Sequence, residues 1–320
     1  MISTIWPIAA TSEHLGVEVS GVTFEEAAGD EDFVDFIRVL LRKHLLVLIR
    51  RQQIEPATIT AFVANFGPLL DVRRAGNVAR HVPGHDMIKV LCNHLGPDGV
   101  ALGDGNSSAQ LWHTDSTPWE APPSHLAMYC RETTDPPPRT YFMNMIKVYE
   151  SLPDATKELI NDLRVIHHQY PRQIEVEIAR TGASLPLDER THGRVHPLVR
   201  RHMATNAPIL YLPVRRDSIV VGWSEADSTA LLEELWTHVS ASPYSFGTAL
   251  LADDFVIWDN SATVHSRDGW PPEKKRLMWH LSAEGEIPTP RYGSKTVNVI
   301  GLDDDQRRAH NLRAAGRADY

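Results

Sequence analysis

Two separate stretches of the sequence carry side chains that could together hold a metal ion. His113 and Asp115 are two positions apart, and on a β-strand this spacing points both side chains to the same face. His265 follows a short turn after the apolar run that ends at Trp258. Two histidines and one carboxylate make the facial triad of non-haem iron(II) sites, which leaves three coordination positions open. The residues therefore predict an iron centre with open positions for a bidentate 2-oxo acid and O2.

The same residues allow other interpretations. The chain has 16 histidines, so a His-x-Asp pair alone is weak evidence for a site. Zinc also accepts two histidines and a carboxylate, and a zinc hydrolase is therefore one alternative. A binding protein that keeps the fold without turnover is another. The remaining histidines, including His94, His167 and His168, are interpreted as surface or core residues without a ligand role.

Composition limits the class of protein. A chain of 320 residues can bury a large core, and we expect a single domain over residues 1–320. Hydrophobic residues make up 42% and charged residues 23%, which are ordinary globular values. The formal net charge of -9 argues against a general nucleic-acid or anionic membrane surface. A small-molecule substrate is the expected partner.

The cysteines and the hydropathy pattern bear on location. Cys92 and Cys130 show no metal-type clustering and are interpreted as buried thiols in a reducing compartment. No stretch approaches the roughly 18 apolar residues of a membrane span. We expect a cytoplasmic protein.

The first third of the chain predicts mixed elements. Residues 15–22 alternate as a half-buried strand, and the run from Leu45 to Ile49 indicates a buried strand. Helical spacing of apolar residues predicts one helix between them, and a second helix that stops at Gly67 and Pro68. The apolar positions of the two helices are Phe33, Phe36, Ile37, Leu40 and Leu41, then Ile59, Phe62, Val63 and Phe66.

Beyond residue 108 the pattern is mostly short strands. Helices are predicted only at about 144–163 and at 225–240, the latter capped by Ser224. This pattern predicts a mainly β fold with flanking helices. Residues 96–108 contain four glycines and are predicted to form a mobile loop that could act as a lid. Residues 171–194 are a second candidate lid. The tail 303–320 is expected to be solvated. The predicted strands cover residues 126–130, 140–143, 164–170, 209–213, 218–221, 255–258 and 276–282.

Taken in order, the motifs of the chain resemble those of the TauD/TfdA branch of the 2-oxoglutarate-dependent dioxygenases. The motifs are LGVEVSGV, HLLVLIR, NFGPL, WHTDSTPWEAPP, VHPLVR and WDNSATVH, and they span nearly the whole chain. The resemblance implies a double-stranded β-helix (jelly-roll) core, Fe(II) as the metal, 2-oxoglutarate and O2 as cosubstrates, and a possible homo-oligomer.

The resemblance also implies roles for individual residues. His113, Asp115 and His265 match the iron ligands, and Arg276, eleven positions after His265, matches the arginine that binds the distal carboxylate of 2-oxoglutarate. Thr140 matches the threonine that supports the same carboxylate. Trp258 is expected to pack near the metal. The implied reaction is hydroxylation of a C–H bond with succinate and CO2 as coproducts; desaturation, epoxidation and ring closure stay open, whereas Asp115 disfavours halogenation.

Two departures from the family pattern concern ligand recognition. Pro137, Pro138 and Arg139 stand before Thr140 where the family usually has Gly-Gly-Asp, so the local turn and charge differ. His280 stands where members that oxidise sulfonates or carboxylates often have a second arginine. Along a strand His280 shares a face with Arg276 and Met278 and should point into the substrate pocket. A neutral imidazole is a weak anion anchor, so we expect a less polar substrate, such as a scaffold from specialised metabolism.

Overall fold

The fold is known from a computed structural model. Most of the predicted lid 171–194 and the whole predicted tail 303–320 lie outside the described residues. The described residues are 6–71, 80–105, 107–168, 190 and 193–291.

Within the described residues, sixteen strands and six α-helices follow one another along the chain. The strands are β1 (Ile8–Ala10), β2 (Val17–Val19), β3 (Leu46–Ile49), β4 (His81–Val82), β5 (His85–Cys92), β6 (Gln110–His113), β7 (His125–Glu132), β8 (Arg139–Asn144), β9 (Arg164–His167), β10 (Arg194–Pro197), β11 (Val199–Arg201), β12 (Pro208–Leu210), β13 (Ser245–Ala249), β14 (Phe255–Asp259), β15 (Thr263–Arg267) and β16 (Leu277–Ala283). The helices are α1 (Phe24–Ala27), α2 (Glu31–His44), α3 (Pro56–Val63), α4 (Met145–Glu150), α5 (Asp154–Ile160) and α6 (Glu225–Ala241), and a 3-10 turn (Ala64–Phe66) follows α3.

The chain divides into two compact units. The first comprises residues 1–113, 123–144 and 244–286, and the second comprises residues 114–122, 145–243 and 287–320. The single-domain organisation stays a prediction. Among the described residues, no helix combines the length and the apolar character needed to cross a membrane.

Two sheets form the first unit. In the described residues, the larger sheet has the order β1-β2-β3-β14-β7-β16-β5-β4, and the smaller has the order β13-β8-β15-β6. All neighbours are antiparallel except β2 and β3. The mainly β fold with flanking helices that the sequence predicts is thereby confirmed.

One face of the larger sheet is covered by helices. Helix α2 begins at Asp30, whose side chain accepts a hydrogen bond from Asp32 N, and carries acidic residues in its first turn and basic ones in its last, which suits the helix dipole. Its predicted apolar positions are all buried. They pack with α3 against alternate strand residues such as Val47, Tyr129 and Leu281. This face is an apolar core without chemistry.

The other face of the larger sheet packs on the smaller sheet. Because strand residues alternate, Trp258 points away from the helices, and its ring centroid lies 5.3 Å from that of Phe142 on β8. Met278 lies on this inner face, paired in register with Cys130. Cys130 and Cys92 are free and buried, as expected. The inner face is where the chemistry-bearing residues collect.

The second unit contains the two-stranded sheets β9-β10 and β11-β12 together with α4, α5 and α6. Ser224 caps α6 by accepting a hydrogen bond from Asp227 N, as predicted. The predicted helix 144–163 is instead two helices, since Pro153 cannot continue α4 and stands at the start of α5. The predicted strand 218–221 contributes only an isolated bridge between Val220 and Val165.

The glycine-rich stretch 96–108 is more regular than the sequence indicates. Leu102 N donates to His94 O at 2.9 Å and Asp104 N donates to Val90 O at 2.8 Å, so this part of the stretch runs along β5. Gly103 makes the approach possible, because a Cβ there would lie 2.7 Å from Cys92 Sγ. The glycine serves close packing of backbone. A lid role for this stretch stays a prediction.

Candidate metal centre

Neighbouring strands bring two of the predicted metal ligands together. His265 on β15 pairs in register with His113 on β6, and the centroids of their rings are 4.2 Å apart. His265 also pairs with Phe142 on β8, whose ring is stacked at 6.1 Å. Residues 152 positions apart in the sequence thus become direct cross-strand neighbours.

A backbone contact orients His113. Its Nδ1 lies 2.7 Å from the carbonyl oxygen of Leu111. Because a carbonyl can only accept a hydrogen bond, Nδ1 carries the proton and Nε2 keeps its lone pair. This is the arrangement usual for metal-binding histidines, whose second nitrogen is tied to a carbonyl or carboxylate.

Asp115 reaches the two histidines from a turn. The His-x-Asp spacing predicts Asp115 on the same strand as His113, but β6 ends at His113 and Asp115 begins the turn that follows. Ser116 in this turn has a left-handed φ of 56°, and its carbonyl accepts from Trp119 N at 2.9 Å. The ligand atoms of His113, Asp115 and His265 all lie within 4.8 Å of one another. A single cation could contact all three.

The turn before His265 is held by its own side chains. Asp259 Oδ1 accepts hydrogen bonds from Ser261 N at 2.8 Å, Ser261 Oγ at 2.6 Å and Ala262 N at 3.2 Å. Asn260 Nδ2 donates to Pro123 O at 2.9 Å. The aspartate and asparagine of the WDN motif therefore fix the direction in which β15 leaves the turn. The sequence alone does not indicate this role for Asp259 or Asn260.

Thr140 and Arg276 are buried polar groups on the inner side of the first unit. Thr140 on β8 is 2% exposed, and its Oγ1 has no hydrogen-bond partner among the described residues. Arg276 is 6% exposed, and burial lowers the pKa of its guanidinium. In the described part of the chain, no carboxylate forms an ion pair with it. A buried hydroxyl and a buried cation without an anion fit a carboxylate ligand.

Asn93 positions Arg276. Its Oδ1 accepts from Arg276 N at 3.1 Å, and its Nδ2 donates to Pro272 O at 3.1 Å and to Lys274 O at 2.8 Å. The amide thus ties β5 to the loop that precedes β16. Nothing in the sequence indicates this role, because the contact joins residues 183 positions apart.

The three residues predicted for the substrate pocket lie on the inner face. Trp258 is fully buried, and its ring centroid is 5.3 Å from that of His265 and 6.5 Å from that of His280. Met278 is also fully buried and His280 is 8% exposed. His280 pairs with Met128 and Met278 with Cys130, so these two side chains share one face of β16. Their part in substrate binding stays a prediction.

Two further residues near Arg276 were not singled out from the sequence. Trp270 lies beneath the Arg276 guanidinium, with the guanidinium carbon 5.4 Å from a ring centroid. Arg267 stands two residues after His265 on β15, so strand alternation puts both on one face. The alternation was a signal from which Arg267 could have been found.

The chain is similar to known proteins over most of its length. Residues 7–282 match the family described as taurine catabolism dioxygenase TauD, TfdA family. The chain is 28% identical to pentalenolactone F synthase of Streptomyces arenae over 247 residues, covering 73% of this chain and 80% of that protein. It is 24% identical to the (S)-phenoxypropionate/alpha-ketoglutarate-dioxygenase of Delftia acidovorans, covering 90% of this chain and 98% of that protein.

The solved structures agree with the family match. A crystal structure of a taurine dioxygenase from Burkholderia xenovorans superposes with a TM-score of 0.71 at 24% sequence identity. The match covers 89% of this chain and 93% of that one. This likeness establishes the fold.

Proposed function

The chain belongs to the taurine catabolism dioxygenase TauD, TfdA family and is a 2-oxoglutarate-dependent dioxygenase, and on this premise we propose that it hydroxylates an unactivated C–H bond of a small organic molecule at an iron(II) centre. The proposed ligands are His113, Asp115 and His265. The proposed residues for the distal carboxylate of 2-oxoglutarate are Arg276 and Thr140. The proposed core is a double-stranded β-helix within a single domain.

The observation that carries the proposal is the convergence of the three ligand atoms within 4.8 Å. The set is one carboxylate and two imidazoles, which suits iron(II) in the facial-triad class. Zinc accepts the same donors, but a zinc hydrolase has no need of a buried arginine without an ion-pair partner beside them. Arg276 and Thr140 therefore favour the dioxygenase.

Each protein group has a defined task in the proposed reaction. Iron(II) and 2-oxoglutarate, when held by these residues, would supply the oxidising chemistry, with succinate and CO2 as coproducts. Arg276 and Thr140 orient the cosubstrate through its distal carboxylate. The Leu111 carbonyl holds His113 in the tautomer that can coordinate. Trp258 and Met278 exclude water from the inner face.

The substrate end of the site is proposed to be weakly polar. His280 takes the place at which relatives that oxidise sulfonates or carboxylates often carry an arginine, and the buried neighbours Met278 and Trp258 are apolar. Similarity to pentalenolactone F synthase supports a scaffold from specialised metabolism. Similarity to the phenoxypropionate enzyme keeps an aromatic acid as an alternative substrate.

Desaturation, epoxidation and ring closure are the second candidate outcomes, because the same site chemistry yields them when the substrate is posed differently. Hydroxylation and epoxidation add one oxygen atom to the product, whereas desaturation and ring closure remove two hydrogens and release water. Mass spectrometry of the product distinguishes the two groups, and NMR spectroscopy separates the members of each.

The test of the proposed function is succinate formation. Protein prepared anaerobically with iron(II) is given 2-oxoglutarate and O2, and wild type is compared with His113→Ala and Arg276→Ala. We expect slow uncoupled succinate formation by wild type and its loss in both variants. His85→Ala, on β5 and partly exposed, is the matched histidine control and should behave as wild type.

Two results would count against the proposal. Absence of succinate from iron-loaded wild type with a broad pool of small organic substrates would favour a binding role. Hydrolysis of an ester or amide by zinc-loaded protein, lost in His113→Ala but not in Arg276→Ala, would favour the zinc hydrolase.

A further inference from the structure

A second buried arginine lies beside Arg276. Arg267 is 7% exposed, and its guanidinium carbon is 4.2 Å from a ring centroid of Trp270. The guanidinium carbon of Arg276 lies 5.4 Å from a ring centroid of the same Trp270. Two guanidinium groups thus share one indole on the inner side of the first unit.

Strand register puts Arg267 next to Thr140. The two residues are direct partners in the pairing of β15 with β8, and both alternate onto the inner face. His265 is two residues earlier on the same face of β15. Arg267, Arg276 and the Thr140 hydroxyl therefore converge on one region close to the predicted metal ligands.

The Arg267 side chain is held in a fixed orientation. Nε donates to Gln110 Oε1 at 3.3 Å and an Nη donates to Ser108 O at 2.8 Å. These contacts define the plane of the guanidinium, because the group is a rigid, planar fork whose five N–H donors point in fixed directions. The fork is anchored at one edge to the segment that leads into β6.

The two arginines repel one another. Their guanidinium carbons lie 4.2 Å and 5.4 Å from ring centroids of Trp270, so two positive charges are buried close together. Like charges that are buried together are unfavourable unless an anion lies near both. A carboxylate has about four acceptor positions and can bind more than one donor group. The pair is thus suited to one shared anion.

We propose that Arg267 and Arg276 together bind the distal carboxylate of 2-oxoglutarate, with Thr140 as the third donor. This inference rests on the proposed function and adds a binding residue to it. The distal carboxylate is favoured over a substrate anion because Thr140, the register partner of Arg267, is proposed to contact it. Arg267 therefore does not take over the substrate-binding role of the arginine that some relatives carry at the position of His280.

The test is calorimetric titration of Mn(II)-loaded protein, which measures binding without turnover. Each protein is titrated with 2-oxoglutarate and with 2-oxopentanoate, which lacks the distal carboxylate. Arg267→Gln should bind 2-oxoglutarate about 10- to 100-fold more weakly, the loss expected for a charge-assisted hydrogen bond. Its affinity for 2-oxopentanoate should stay within about two-fold of wild type, since that ligand offers no group to the missing guanidinium.

Matched variants separate binding from folding. Arg42→Gln changes an exposed arginine in the last turn of α2, on the helix-covered side of the larger sheet, and should leave both affinities unchanged. Arg267→Lys keeps the charge without the planar fork and should lose about ten-fold for 2-oxoglutarate. If Arg267→Gln fails to fold, Arg267→Lys decides the question with the same two ligands.

Several outcomes would overturn the inference. Unchanged 2-oxoglutarate binding in Arg267→Gln would do so, and would leave a substrate anion as the occupant. Equal weakening for both ligands would show that Arg267 only supports the Ser108–Gln110 segment. If wild type itself fails to bind 2-oxoglutarate, or Arg276→Gln binds it as wild type does, the proposed function fails with the inference.

Discussion

The protein contains two histidine clusters with different chemistry. In the first unit the rings of His113 and His265 are 4.2 Å apart, and in the second unit those of His167 and His196 are 5.1 Å apart. Among the described residues, only the first cluster belongs to a group that could hold a metal ion, and it does so with Asp115. Proximity of imidazoles is common to both, so the carboxylate makes the difference.

The second cluster is a buried, uncharged core. His167 stacks on Tyr211 with centroids 5.0 Å apart, and His196 Nε2 donates to Trp119 O at 2.9 Å. Burial lowers the pKa of His196 to about 4 and that of His167 well below its ordinary value, and the Arg200 guanidinium acts in the same direction. Histidines in such a setting pack as neutral rings. His167 and His168 were interpreted as surface or core residues without a ligand role, and both are buried.

The largest expected effect comes from removing the carboxylate that distinguishes the clusters. In Asp115→Ala we expect turnover to fall at least about 1,000-fold, or roughly 4 kcal/mol of activation free energy, because a metal ligand is lost. Wild type should gain about 2.7 kcal/mol of stability in Mn(II) at 100 times its Kd, and the variant should gain much less. Succinate assays and thermal melts with and without Mn(II) measure both.

The control for this experiment is Asp154→Ala, which removes an exposed carboxylate at the start of α5. It should keep wild-type turnover and the wild-type response to Mn(II). If Asp115→Ala retained either property in full, the distinction between the two clusters would be wrong.

Acidic pH should destabilise the protein through the buried histidines of the second unit. His168 and His196 have folded-state pKa values of about 4 against 6.5 for an ordinary histidine, so the unfolded chain binds protons first. Their contribution to stability is complete above pH 6.5 and is lost as the pH falls toward 4. Lowering the pH from 7 to 5 should reduce the unfolding free energy by roughly 2 kcal/mol for each of these two histidines. Urea unfolding of metal-free protein at both pH values measures the loss.

His196→Gln sharpens this prediction, because glutamine can donate to Trp119 O but does not titrate in this range. Its stability should fall less between pH 7 and pH 5 than that of wild type, by about one histidine's share. An unchanged pH dependence would mean that His196 is not the neutral, buried group inferred from its surroundings.

The smallest effect is expected from replacing a packed imidazole by a ring of similar shape. Neither ring nitrogen of His167 has a hydrogen-bond partner within the described residues, so His167→Phe should change the unfolding free energy by less than about 1.5 kcal/mol. Turnover should stay within about two-fold of wild type. The matched change His265→Phe should abolish Mn(II) binding by calorimetry. A large loss of turnover in His167→Phe would contradict the comparison.

Local elements follow from the sequence where local physics is sufficient. Helix α2 and strands β3 and β14 appear where apolar periodicity predicts them, and Ser224 caps α6 as expected. The prediction of one helix over 144–163 was wrong because apolar residues continue across Pro153, which interrupts the backbone. The glycines of 96–108 indicated flexibility, yet Gly103 is used for close packing against Cys92.

The proposed metal ligands could be singled out from the sequence because their types are rare in combination and because His113 and Asp115 are only two positions apart. The geometry was not, since Asp115 reaches the site from a turn instead of the strand on which its spacing placed it. Asn93 and Arg267 were also not predicted, because their partners are distant in the chain or defined only by strand register.

The sequence by itself determined the reaction class, since the motifs that contain His113, Asp115 and His265 place the chain in its dioxygenase family. Tertiary structure alone decided which histidines lie beside a carboxylate and which are buried among aromatic rings and arginine side chains. The physical reason is that a side chain's charge and its free lone pairs depend on burial and on neighbours brought in from other strands, and residue type specifies neither.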